Sequence, residues 1–312
     1  MLKFIQGHLK TNTHSACVLC LLAVILGSTT INAQVKVLII DGFSNHSVKK
    51  TTQKLLDIIA TDASFESSVS TMPVYKSKEW VSWNPRFSKY QVVIQTTNDI
   101  RSKDKWPEHV KKELENFVKG GGGLYIYHSA NNAFKDWPEY NDMIGMGWRK
   151  KDFGKAIQIV DNQVVVIPAG TGKGTSHGKR FDAVFYRFGN HPIHTNLPEQ
   201  WKSADVEVYS YTRGPINNLT VLSYAYEPKT QLDFPTEWVV NYGAGRTSVS
   251  TYGHYFEKQD NPPAVRDVAF QTIFMRALQW LAGVPVSQWV PQNFPSAATI
   301  SLQDLPPIRR IQ

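Results

Sequence analysis

The sequence predicts an α/β fold, an open and mostly parallel sheet with helices on both faces. Short continuous apolar runs recur as VKVLII (35–40), YQVVIQ (90–95) and LYIY (124–127), the pattern of strands buried on both faces. Segments of helical period with short loops separate them. Each run ends in a polar or small-residue string, at the strand end where open parallel sheets bind ligands.

In chain order, residues 1–33 read as a leader rather than fold. Lys3 and Lys10 give a basic start, 16–27 is a short apolar run, and 28–33 (STTINA) is small and polar. These are the three regions of a secretory signal peptide, and the run is shorter than the ~18–20 residues that span a bilayer. Cleavage is expected after Ala33. The expected product is periplasmic or secreted, without stable membrane insertion. Cys17 and Cys20 are the chain's two cysteines and fall inside the leader. The mature part therefore has no disulfide, thiolate ligand or cysteine nucleophile.

Residues 34–283 are expected to form one domain. After the first strand, Ser47 can cap a helix carrying Leu55, Leu56, Ile58 and Ile59. A second helix follows Pro107, with Val110, Leu114, Phe117 and Val118 on one face. Residues 156–167 suggest a strand pair turning at Asp161-Asn162, and 169–178 (AGTGKGTSHG) a flexible loop without the phosphate-loop pattern. Further strands are expected at 206–209, 219–226, 238–242 and 245–252. A last helix carries Phe270, Ile273, Phe274, Ala277, Leu278 and Leu281, and Gly283 ends it. The tail 284–312 holds five prolines and is expected to lack regular structure.

The chain carries a formal charge of +8. Its basic residues are interspersed with acidic ones, so no nucleic-acid partner is expected. Fifteen Phe, 13 Tyr and nine Trp are enough to fill a core and also to stack on pyranose rings.

The strand-end rule ranks the polar residues. His46 follows the first strand, and His128, Ser129 and Asn131 follow the strand ending at Tyr127. His128 is the sharpest candidate for acid, base or ligand, because imidazole suits proton transfer near neutral pH. His254 follows a later strand, and His191 and His194 lie in a loop. His177 and His109 are expected to be inert. His46, His128 and His254, with Glu207 or Asp41, could hold a divalent metal through nitrogen and oxygen, although no H-x-x-x-H spacing supports it.

A series of strings resembles the ThuA-like (trehalose-utilisation) family. They are Gly42-Phe43-Ser44-Asn45-His46-Ser47, Gly121-Gly122-Gly123 through His128-Ser129-Ala130, and Trp137 through Gly145. They continue as His191-Pro192-Ile193, Asp205 through Tyr209, Pro235-Thr236-Glu237-Trp238, Gly245-Arg246, Tyr252-Gly253-His254 and Trp280 through Gly283. The series runs in order through nearly all of the mature chain. This copy has an extra residue before His46 and Val206 beside Glu207.

The resemblance implies a flavodoxin-like, three-layer sheet of the class I glutamine amidotransferase type and a role in sugar catabolism. Without a cysteine after the strand that His128 ends, glutamine hydrolysis by that route is out. The expected function is a carbohydrate-active protein acting on a glycoside or keto-sugar through His128, His254, His46 and Glu207. Ser129, Asn131, Trp137, His191, Tyr209 and Trp238 are the expected substrate contacts. A paired-carboxylate glycosidase would need Glu207 with Glu237. A non-catalytic carbohydrate-binding protein and a metal-dependent hydrolase stand as alternatives.

Overall fold

The computed structural model of the protein describes residues 34–306. Residues 1–33, which hold the expected leader with Cys17 and Cys20, and residues 307–312 lie outside the described residues. No helix among the described residues is long and apolar enough to cross a membrane.

The first half alternates strand and helix. It runs β1 (Val35–Asp41), α1 (Val48–Ile59), β2 (Phe65–Thr71), α2 (Lys78–Val81), β3 (Val92–Gln95), α3 (Glu108–Lys119) and β4 (Gly123–Tyr127). A 3-10 turn (His128–Asn132) and α4 (Pro138–Ile144) follow. β3 and β4 are buried along their whole length, as their unbroken apolar sequence requires. β2 escapes a pattern search because FESSVST carries few apolar residues. It is an edge strand beside β1, and an edge tolerates polarity. Ser47 sits at the N-cap of α1 without a side-chain bond to the helix; its hydroxyl donates instead to Glu257 Oε2 at 2.5 Å.

The second half is mostly strand. It contains β5 (Lys155–Val160), β6 (Gln163–Ile167), β7 (Ser176–His177), β8 (Phe181–Arg187), β9 (Gln200–Val206), β10 (Tyr209–Ser210) and β11 (Arg213–Gly214). Then come β12 (Leu219–Glu227), β13 (Leu232–Tyr242), β14 (Gly245–Ser250), α5 (Pro263–Arg266) and α6 (Val268–Leu281). Asp161 and Asn162 both have positive φ, 50° and 57°, which is the two-residue hairpin turn joining β5 to β6.

The main sheet runs β2-β1-β3-β4-β14-β13-β12-β8-β9. The first five strands are parallel, and the sheet continues antiparallel from β13. The class is α/β and the sheet is mixed. Its parallel part has the β2-β1-β3-β4 order of flavodoxin-like sheets. Alternate residues of β1 feed two cores. Val37 and Ile39 pack with Leu55 and Ile59 of α1 and with Phe270, Phe274 and Leu278 of α6. Leu38 and Ile40 face the other core, with Val110, Leu114 and Val118 of α3 and Tyr140 of α4. Each such fully buried aliphatic side chain contributes about 1.5–3 kcal/mol of transfer free energy.

The tail has no helix or strand through residue 306 and lies against the domain. Lys202 N–H donates to Ser296 O, Val268 N–H to Ser301 O, and Leu302 bridges Asp267.

Candidate active site

Four strands deliver the site from one edge of the sheet. β1, β4 and β14 are parallel and end just before His46, His128 and His254. Glu207 follows β9, which lies four antiparallel pairings beyond β14. An even number of reversals returns the chain to the same direction, so β9 also points its C-terminal end at this edge.

Backbone turns then aim the side chains. The expected strand over 206–209 is interrupted: β9 stops at Val206 after Asp205 takes φ +52°, and Tyr209 resumes as β10. That break lets Glu207 leave the sheet. His128 itself has φ +45°, a conformation uncommon for a residue with a Cβ and concentrated at functional positions. Gly253 has φ +90°, and a Cβ there would lie 2.3 Å from the Tyr127 hydroxyl. Only glycine fits beside the Tyr127 hydroxyl, which donates to the Gly253 carbonyl.

Three imidazoles meet at the centre. The ring centroids of His46 lie 4.8 Å from His128 and 4.9 Å from His254, and the latter two are 5.3 Å apart. Glu207 stands among imidazoles as well. Its Oε1 is 3.3 Å from His254 Nε2 and 3.6 Å from His177 Nε2, and its Oε2 is 3.7 Å from His128 Nε2. Burial, reinforced by His254 and then Arg101, pushes His46 down to about 3. Burial and His46 push His128 down to about 4 against the opposing pull of Glu207. Burial, His128 and Arg180 push His254 down to about 2. The three rings are therefore uncharged at neutral pH.

A cleft of about 160 Å³ opens over this group. His46, His177 and Glu207 line it, with Trp148, Tyr209 and Phe256 as aromatic walls and Arg101 and Asn132 among its polar lining. Phe256 stacks on His46 at 4.8 Å, and His177 stacks on Tyr209 at 5.8 Å. Burial and then Glu207 hold the Tyr209 hydroxyl well above the usual phenol range. The cleft is smaller than the ~300 Å³ lower bound of drug-sized pockets and suits one small ring.

The structure thus brings His46, His128, His254, Glu207 and Tyr209 together and adds His177. Sequence reasoning set His177 aside as part of a flexible loop. Its placement comes from pairing of β7 with β10, where His177 faces Tyr209. Ser129 and Asn131 are buried in the turn after His128. The remaining expected contacts are corrected. Trp137 packs on Tyr140 in the core at 5.4 Å. Trp238 is fully buried and donates its indole N–H to Ile144 O. His191 packs against Trp280, and His194 lies beside Glu237 at 3.3 Å. Glu237 accepts from Ser223 inside the core, so it is no second carboxylate for this cleft. Asp41 accepts from the Thr52 hydroxyl and lines a different, open groove beside α1.

The sequence model of the ThuA family, described as trehalose utilisation, matches residues 36–281. The crystal structure of a ThuA-like protein from Parabacteroides merdae is similar, with 30% identity and a TM-score of 0.80. That similarity covers 86% of this chain and 98% of that one. A ThuA-like protein from Bacteroides uniformis shares the fold at 16% identity and TM-score 0.52, over 82% of this chain and 94% of that one. No curated protein matches the sequence.

Proposed function

The chain belongs to the ThuA (trehalose utilisation) family, and on that premise we propose that it is an enzyme acting on one ring of a glycoside or keto-sugar. The family suggests a carbohydrate-related role; the finer reading comes from the cleft. The observation that carries it is the Glu207 carboxylate, 3.3–3.7 Å from the Nε2 atoms of His254, His177 and His128, under an aromatic-walled opening.

Aromatic walls offer flat apolar surface to the C–H faces of a sugar ring. Arg101 and Asn132 can bind its hydroxyls. Proton transfer falls to the imidazole–carboxylate group, in which His128 and His254 flank Glu207. A carbonyl on the ring acidifies the neighbouring C–H, so a single modest base can start elimination or isomerisation. Hydrolysis by two flanking carboxylates is not supported, because Glu237 is enclosed elsewhere in the core.

Proton NMR of the purified protein with a panel of disaccharides and their 3-keto derivatives tests this. New sugar signals are expected with the wild type and not with His128→Ala. An unchanged panel with one sugar's lines selectively broadened would instead favour a non-catalytic binding protein.

The reading extends to export, on the basic, apolar and small-residue regions of residues 1–33. Intact mass of protein from its native host is expected to begin at Gln34. Persistence of residues 1–33 would defeat that part.

A further inference from the structure

The Nε2 atoms of His46, His128 and His254 are each buried and hydrogen-bonded to nothing. One ligand atom from each of these residues lies within 4.8 Å of the other two. The rings are nearly perpendicular to one another, at 88°, 83° and 83°, so they approach from three directions. An unpartnered buried polar atom costs about 1–3 kcal/mol. Three in one place form a group that a single cation would satisfy. We propose that His46, His128 and His254 bind one divalent transition-metal ion, with Glu207 beside it and the open side facing the cleft.

The outer hydrogen bonds favour this for two of the rings. His128 Nδ1 lies 2.8 Å from Thr251 O, a carbonyl that can only accept, so Nδ1 holds the proton and Nε2 the lone pair. His46 Nδ1 lies 3.1 Å from Asn45 Oδ1, which also accepts from Asn98 Nδ2 at 2.7 Å. Its Nε2 is therefore a lone pair too. His254 differs. Arg180 Nη1 lies 2.6 Å from its Nδ1, and a guanidinium can only donate. Coordination by His254 requires the ring proton to move from Nε2 to Nδ1 and Arg180 to withdraw. Asp205 Oδ2, already 3.2 Å from Arg180, can receive it.

The donor set selects the metal class. Imidazole nitrogens suit zinc, copper, iron and nickel, whereas magnesium and calcium want oxygen. Three protein ligands and an open position match catalytic rather than structural zinc sites. The inference rests on the same cleft as the proposed function and deepens it. A cation held by the three rings would polarise a sugar oxygen, and proton transfer within the imidazole–carboxylate group would then pass from His128 and His254 to Glu207 and His177.

The test is calorimetric titration of chelator-treated, dialysed protein with Zn²⁺ and Co²⁺, with thermal unfolding in parallel. One ion per chain and a rise in melting temperature are expected. His46→Gln and His128→Gln should each weaken binding by at least about 100-fold. His46 is only half-buried, so its variant is expected to fold like the wild type. No stoichiometric binding by the wild type, or equal affinity in folded His46→Gln, would overturn the metal site. Sugar turnover without metal binding would overturn this inference alone, and metal binding without turnover the enzymatic reading alone.

Discussion

Glu207→Gln is expected to lower kcat/KM on the sugar substrate by about 10²–10⁴-fold while leaving the fold intact. The substitution keeps the shape of the side chain and removes its capacity to take up a proton. Glu207 sits among three imidazole Nε2 atoms at 3.3–3.7 Å, and no other carboxylate lines the cleft among the described residues. Glutamine presents an N–H₂ or a carbonyl to the same nitrogens, so binding of the sugar should change far less than its turnover. Steady-state kinetics with thermal unfolding of both proteins separates the two effects. A loss below about tenfold, at unchanged stability, would remove Glu207 as the proton-transferring group. A matching fall in melting temperature would show that the substitution acts on the fold.

Arg149→Met is expected to destabilise the domain by about 3–5 kcal/mol and to depress activity from outside the cleft. Arg149 is buried and bonded almost entirely to backbone. It donates to the carbonyls of Asn131, Asn132, Ala133 and Trp148 and to the Asn141 side chain. Three of these partners, Asn131, Asn132 and Ala133, lie in or directly after the turn that begins at His128. Methionine fills much of the volume but supplies no donor, and buried carbonyls deprived of partners cost about 1–3 kcal/mol each. Burial lowers the guanidinium to about 10, so the group is still charged at neutral pH. Arg149→Lys should recover little, because an ammonium cannot reproduce a planar fork of five donors. For a domain of this size the expected fall in melting temperature is on the order of 10 °C. A fall corresponding to less than about 1 kcal/mol would mean that the turn is held by other contacts.

Much of the architecture was readable because it depends on local pattern. VKVLII and LYIY are apolar on both sides of the pleat, which suits only strands covered twice. The stripe Val110, Leu114 and Val118 recurs at helical spacing and meets the sheet along one face. Both signals survive folding because the side chains that make them also make the core. β2 and β8 carried weaker signals. FESSVST lies at the sheet edge, and FDAVFYR mixes charge with aromatics in the antiparallel extension. Their strand state is imposed by the neighbours they pair with.

The site divides in the same way. The sequence by itself determined the α/β class and singled out His46, His128 and His254, because a strand's end is a local feature. It also excluded thiolate chemistry within residues 34–312, because composition alone decides that. Only the tertiary structure decided which residues share the cleft. Trp137, Trp238 and His191 have the right chemistry for sugar contact, but their side chains pack into or against the core instead. His177 has an unremarkable setting in a glycine-rich loop, and a single two-residue strand pairing places it against Tyr209 and near Glu207. Glu207 lies far from His128 along the chain and reaches it because four antiparallel reversals return β9 to the parallel edge. Convergence of this kind is a property of strand pairing and packing between distant segments, and no local pattern encodes it.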